Sequence, residues 1–154
     1  GLANEVKKEL DLPAPVPEEV LVDLSVELEK LMREGDRLFE SGDLAGAEKA
    51  FREATRVDSL AGWAYANIAT IRGSLGDPDG AIQSWRHAVN LTPENVGYRI
   101  NLGEVLAQTG LSEEALSVWE RVFETDPFND TAKELIAKEK ATPSAAVNDS
   151  AAVR

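Results

Sequence analysis

The chain has 154 residues, 43% of them hydrophobic and 29% charged, and it carries a net charge of −12. This composition is typical of a soluble globular protein, and no apolar run reaches the roughly 18 to 20 residues that a membrane-spanning helix needs. The lack of cysteine excludes thiol catalysis, disulfide bonds and cysteine-ligated metal sites. The acidic balance argues against binding to nucleic acid or to an anionic membrane, both of which require basic surface patches.

Residues 1–17 are predicted to form a short helix followed by a proline-rich linker. Leu2, Val6 and Leu10 fall on one side of a helix over residues 1–11, and LPAPVP follows at 12–17. The folded domain is therefore expected to begin at residue 18.

A continuous helix is predicted from about Pro17 through PEEVLVDLSVELEKLMREGDRLFE. Proline is acceptable in a first turn, and acidic residues there suit the positive end of the helix dipole. The helix is about ten residues longer than is needed for the first helix of the 34-residue repeat unit described below. Its surplus carries an apolar stripe, which either packs on the protein's own first helices or forms a docking or dimer surface. The residues of this stripe are Val20, Leu21, Leu24 and Leu28.

One sequence motif then occurs three times in the chain, as ESGDLAGAEKAF, GSLGDPDGAIQSW and AQTGLSEEALSVW. A shift of 34 residues superimposes a glycine, an alanine and an aromatic place in all three copies. A period of this length and content is typical of a helix–turn–helix array. The superimposed residues are Gly42, Gly76 and Gly110, then Ala47, Ala81 and Ala115, then Phe51, Trp85 and Trp119.

Each repeated place has a physical role. The glycine ends a first helix, where a left-handed residue turns the chain. The alanine is expected where two helices cross closely, and the aromatic residue one turn later fills the space between one helix pair and the next. Pro93 and Pro127 follow second helices, because proline cannot continue a helix.

These residues resemble the tetratricopeptide repeat (TPR) family, whose pattern is W-x2-L-G-x2-Y, then A-x3-F, then P. The A-x3-aromatic half matches in all three copies. The first half is looser, and Arg72 and Arg99 stand at places that the family usually makes apolar. The resemblance implies an all-α fold, an α-solenoid of three TPR units with an extended N-terminal helix and a C-terminal capping helix.

The predicted TPR domain covers residues 18–141. Its three units are 28–61, 62–95 and 96–129, and a capping helix follows at 130–141, where Ala132, Leu135 and Ile136 have helical spacing. Residues 142–154 are rich in small residues and are predicted to be a disordered tail.

No catalytic site is predicted. The single histidine, His87, has no partner at helical spacing, and GSLGDPDG lacks the lysine and hydroxyl residue of a phosphate-binding loop. We therefore expect no enzyme activity, no cofactor and no metal.

In TPR arrays the first helices line a concave channel, and the resemblance implies channel positions for several residues here. Asn67 and Asn101 take the same place in successive units, and an asparagine can donate to and accept from a peptide backbone. Asparagine is also common at that family position for structural reasons, so both readings stay open. Trp63 either anchors a partner or packs between first helices. The predicted groove residues are Arg33, Asp36, Trp63, Asn67, Thr70, Asn101 and Glu104, with Glu29 and Phe39 as further candidates.

Chaperone-binding TPR domains hold an acidic C-terminus in a clamp of lysine, asparagine and arginine, and this sequence keeps Asn67 alone. With Asp36 and Glu104 facing the channel, an acidic ligand would be repelled, so a neutral or basic ligand is predicted. The remaining clamp places hold Met32, Asp36, Gly97 and Asn101.

The leading hypothesis is therefore a non-catalytic protein–protein interaction scaffold that binds a peptide or helical segment in the groove. The alternatives are a subunit of a homo- or hetero-oligomeric assembly, joined through the N-terminal apolar helix, and a regulatory region of a longer protein. The start shows no secretory pattern, so a cytoplasmic location is expected, or an organelle or the periplasm if a targeting segment was removed.

Overall fold

The computed structural model describes residues 14–142, and the predictions for residues 1–13 and 143–154 lie outside this range. The described part of the chain contains helices and no strands, which confirms the all-α prediction. None of these helices is both long and apolar enough to cross a lipid bilayer. The helices are α1 Glu18–Glu40, α2 Leu44–Val57, α3 Gly62–Ser74, α4 Pro78–Leu91, α5 Val96–Gln108, α6 Ser112–Glu120, a 3₁₀ helix Arg121–Glu124, and α7 Asp130–Ala141.

The helices form three hairpins that stack in chain order. The hairpins pair α1 with α2, α3 with α4, and α5 with α6, and each second helix also packs against the first helix of the next hairpin. The last helix, α7, packs on α6 and α5. This is the predicted α-solenoid, in which each hairpin buries its apolar face against its neighbours.

The same turn chemistry joins the two helices of every hairpin. Gly42, Gly76 and Gly110 have φ angles of 84°, 75° and 82°, a left-handed conformation that glycine adopts without steric cost. After α1, the amide of Asp43 donates to the Leu38 carbonyl at 2.9 Å and that of Gly42 to the Phe39 carbonyl at 3.0 Å. These two bonds form a Schellman motif, which satisfies carbonyls at the helix end. The predicted role of the repeated glycine is confirmed.

The repeated alanines lie in the packed core of the array. Ala47, Ala81 and Ala115 are fully buried, and the aromatic residue four places later is also buried in each hairpin. In the third hairpin the Trp119 indole lies against Gly103 of α5, and its Nε1 donates to the Ile100 carbonyl at 3.1 Å. A small residue on the first helix thus makes room for a large one on the second.

The two arginines at normally apolar places have different surroundings. Arg72, on α3, donates to Glu48 of α2 at 3.1 Å, and both side chains are largely buried. Arg99, on α5, is only 5% exposed, with no carboxylate bound to it in the described range. The array therefore accommodates both departures from the family pattern, the first by an ion pair that links two hairpins.

Candidate functional site

The seven predicted groove residues all lie on the first helices of the three hairpins. We call this predicted binding surface the first-helix groove. Since first helices pack mainly on second helices, one side of each is left for other contacts. The residues are Arg33 and Asp36 on α1, Trp63, Asn67 and Thr70 on α3, and Asn101 and Glu104 on α5.

Asn67 and Asn101 are the sixth residues of α3 and α5. Both are half-buried, and neither amide group forms a side-chain hydrogen bond within residues 14–142. An amide offers two donor hydrogens and an acceptor oxygen. The hydrogen-bonding capacity of both amides is therefore unused within residues 14–142.

Trp63 is half-buried and packs into the body of the array. Its ring meets that of Phe51 edge to face, with 6.2 Å between centroids, and it also contacts the buried Ala54, Ala61 and Ala64 cluster. The tryptophan therefore links the first and second hairpins. Its part in ligand binding stays a prediction that rests on the fraction left exposed.

The groove carries two acidic side chains without a cation. Asp36 and Glu104 are exposed and form no ion pair within the described residues, whereas Arg33 is hydrogen-bonded to Glu29 one turn earlier. The Thr70 hydroxyl donates to the Ala66 carbonyl at 3.0 Å, so its proton is used within its own helix. The unpaired charge at the predicted groove positions is therefore negative.

An ion pair on α1 has shifted pKa values. The guanidinium of Arg37 donates to both carboxylate oxygens of Glu34, at 2.9 and 2.7 Å. These hydrogen bonds lower the pKa of Glu34 and raise the pKa of Arg37. Because both groups are exposed, the pair contributes little to stability.

The apolar stripe of α1 divides into two parts. Val20, Leu21 and Leu24 are 44%, 50% and 40% exposed, so they are not packed on the described helices. Leu28 packs against the buried cluster around Ala61. Leu28 therefore packs on the protein's own helices, which was one of the two interpretations of the stripe. The other three residues form an open apolar surface.

The single histidine is exposed and stacks on Tyr65, with 5.0 Å between ring centroids and 24° between planes. Between residues 14 and 142, no group of three or more histidine or acidic side chains is placed to hold a metal ion.

The stacked hairpins define the class of protein, an α-helical repeat array. Residues 66–130 match the family model described as tetratricopeptide repeat. The second TPR domain of human RPAP3, solved with the HSP70 peptide SGPTIEEVD, superposes with a TM-score of 0.69 at 19% identity, over 76% of this chain and 98% of that one. The chain is a tetratricopeptide repeat protein.

Two relatives share the sequence over most of this chain. Small glutamine-rich tetratricopeptide repeat-containing protein 2 of Mycosarcoma maydis is 26% identical over 130 residues, which is 82% of this chain and 37% of that protein. DnaJ homolog subfamily C member 3 of Gallus gallus is 30% identical over 111 residues, 72% of this chain and 22% of that protein. The chain thus spans little more than a third of one relative and about a fifth of the other.

Proposed function

We propose that this chain is a non-catalytic scaffold that binds an extended or helical segment of another protein along the first-helix groove. The observation that carries the proposal is the pair Asn67 and Asn101, whose amides stand at equivalent places on α3 and α5 without a partner in the described range. Two amides in the same register suit a ligand that extends past both helices.

Such a pair would bind the main chain of the ligand rather than its side chains. A peptide presents a donor and an acceptor at every residue, and an asparagine amide can satisfy both. Each neutral hydrogen bond is worth about 0.5–1.5 kcal/mol net. Side-chain selectivity would then come from neighbours such as Trp63 and Thr70.

The charge of the groove favours a neutral or basic ligand. Asp36 and Glu104 are exposed and unpaired within the described residues, and unpaired charges in a groove steer ligands of opposite sign. The human RPAP3 domain was solved with a peptide that ends in EEVD, an acidic sequence. We propose that this chain takes ligands of a different charge.

Replacing Asn67 and Asn101 together by alanine is expected to weaken peptide binding by roughly 5- to 150-fold, the equivalent of one net hydrogen bond lost at each asparagine. The probes are 12-residue peptides selected from a random library on the wild-type chain and then titrated by calorimetry. Variants of each selected peptide with net charges of +3, 0 and −3 test the charge preference, and we expect the −3 series to bind most weakly.

The matched control replaces Gln83 and Ser117 by alanine. Both are exposed and lie on the second helices α4 and α6, so this double variant should bind as the wild type does. Equal affinity of all three proteins for the selected peptides would show that Asn67 and Asn101 of the first-helix groove do not bind them. Tightest binding of the −3 series would overturn the charge preference alone.

A second candidate function is assembly, because Val20, Leu21 and Leu24 are exposed apolar residues on one face of α1. This face continues the one that packs Leu28 and Leu31 into the array, so a second copy of α1 could extend the same packing. The relatives are longer than this chain, which also suits a regulatory region within a larger protein.

If the α1 surface joins two copies, Val20→Glu with Leu24→Glu should yield a monomer at concentrations where the wild type is a dimer. The measurement is light scattering after chromatography over a dilution series. Val22→Glu with Val26→Glu is the control, since these exposed residues lie on another side of α1. A wild type that is monomeric at every concentration would exclude self-assembly.

A further inference from the structure

Three arginines surround a cavity on the second-helix side of the array. The cavity has a volume of about 210 Å³ and lies between α4, α5 and the end of α6. Its polar wall includes Arg86, Arg99 and Arg121, and its apolar wall is Val89, Leu102 and Val118. None of these residues belongs to the first-helix groove. We call this cavity the arginine cavity.

Arg99, the buried arginine of the three, has hydrogen-bond donors without a partner. Nη1 of Arg99 donates to the Pro93 carbonyl at 2.5 Å and to the Thr125 hydroxyl at 3.4 Å. Its Nε is buried and has no hydrogen-bond partner in the described structure. Nη2 likewise donates to nothing within residues 14–142. Within the described residues the guanidinium edge formed by Nε and Nη2 therefore has no hydrogen-bond partner, and Nη2 is its accessible member.

The cavity is locally basic in an acidic chain. Residues 62–129 contain four basic side chains, all arginine, and only Arg72 lies away from the cavity. Arg86 pairs with Glu114 at 2.7 Å and Arg121 with Glu124 at 3.7 Å, but these pairs are more than half exposed and weak. Arg99 is the member whose charge is buried without a carboxylate.

We propose that the arginine cavity binds a carboxylate carried on a short apolar stem. A buried charge without a counter-ion is costly, and a bound anion would offset that cost. Nη2 of Arg99 would donate to the carboxylate, with Arg86 and Arg121 at the rim adding attraction. The stem would lie on Val89, Leu102 and Val118. This site is independent of the first-helix groove and prefers the opposite charge.

The test is a titration of the ¹⁵N-labelled chain, followed through the arginine Nε–H and backbone amide signals at constant pH and ionic strength. The probes are sodium butyrate, 1-butanol as the stem without charge, and inorganic phosphate as charge without the stem. We expect saturable shifts at Arg99, Val89 and Val118 with butyrate, no saturation with butanol, and at least tenfold weaker binding of phosphate.

Arg99→Gln is expected to weaken butyrate binding at least tenfold, and Arg72→Gln, whose arginine pairs with Glu48 elsewhere, should leave it unchanged. Since a buried substitution can unfold the chain, Arg86→Gln with Arg121→Gln serves as a second variant at exposed positions, and we expect a loss of at least threefold. Absence of saturation by butyrate, or equal affinity in every variant, would overturn the proposal. Phosphate binding as tightly as butyrate would overturn the requirement for an apolar stem.

Two sources could supply this chemistry, a free small acid or the C-terminus of a polypeptide. Acetyl-Ala-Leu with a free carboxylate and the same dipeptide as an amide separate them. Binding of the free-acid dipeptide but not of its amide supports a chain terminus as the ligand. Binding of butyrate alone supports a small acid.

Discussion

Replacing Trp119 by alanine is expected to lower the free energy of unfolding by about 3–5 kcal/mol, the usual cost of removing a buried tryptophan. The side chain is 2% exposed and fills the space between α5 and α6 against Gly103. Its Nε1 also donates to the Ile100 carbonyl, which would lose that partner. Urea unfolding followed by circular dichroism measures the loss.

The damage should be uneven along the chain, because each hairpin of a repeat array contacts only its neighbours. Hydrogen exchange should show the largest loss of protection in α5, α6 and α7, with α1 and α2 least affected. Phe128→Ala is the matched control, since this aromatic residue is 81% exposed and should change stability by less than about 0.5 kcal/mol. A uniform loss of protection over the array would show that the hairpins unfold as one unit.

The turns and crossings could be predicted because local geometry dictates their residue types. A left-handed residue after α1, α3 and α5 calls for glycine, and the sequence has glycine at all three places. Close packing of helices calls for small residues, and Ala47, Ala81 and Ala115 are fully buried. Each signal is readable from one position and recurs at a fixed period, so chain order and helix pairing followed from the sequence.

The surroundings of the arginines could not be predicted in this way. Arg72 finds Glu48 on another hairpin, and Arg99 finds Thr125 beyond the next two helices. These contacts depend on how the helices pack in three dimensions, which sequence spacing does not encode. The scarcity of basic residues between 62 and 129 was visible in the sequence, but their convergence on one cavity was not.

The binding residues were predictable only through the family resemblance. Nothing in the spacing of Asn67 and Asn101 distinguishes groove from core, since both belong to apolar helices with weak amphipathic character. Trp63 shows the difficulty, because its ring packs on Phe51 of the preceding hairpin while part of it stays exposed. Whether such a residue binds a ligand depends on a partner that the chain does not contain.

Gly103→Ala is expected to destabilise the chain by about 2 kcal/mol. A methyl group at this position would lie 2.1 Å from Nε1 of Trp119, far inside van der Waals contact. The indole cannot move away easily, because it is buried and its Nε1 is hydrogen-bonded to the Ile100 carbonyl. Overpacking of this kind costs about 1–3 kcal/mol, and the close contact favours the upper end. The higher helix propensity of alanine offsets up to about 1 kcal/mol of this destabilisation.

The same substitution at Gly73 should have the opposite sign. Gly73 lies in the last turn of α3, and a methyl group there would meet no atom within 4 Å. Gly73→Ala is therefore expected to stabilise the chain by up to about 1 kcal/mol through propensity alone. Thermal unfolding of both variants tests the argument, since each makes one identical chemical change in a helix. If both variants were stabilised, the contact between Gly103 of α5 and Trp119 would be looser than the structure has it.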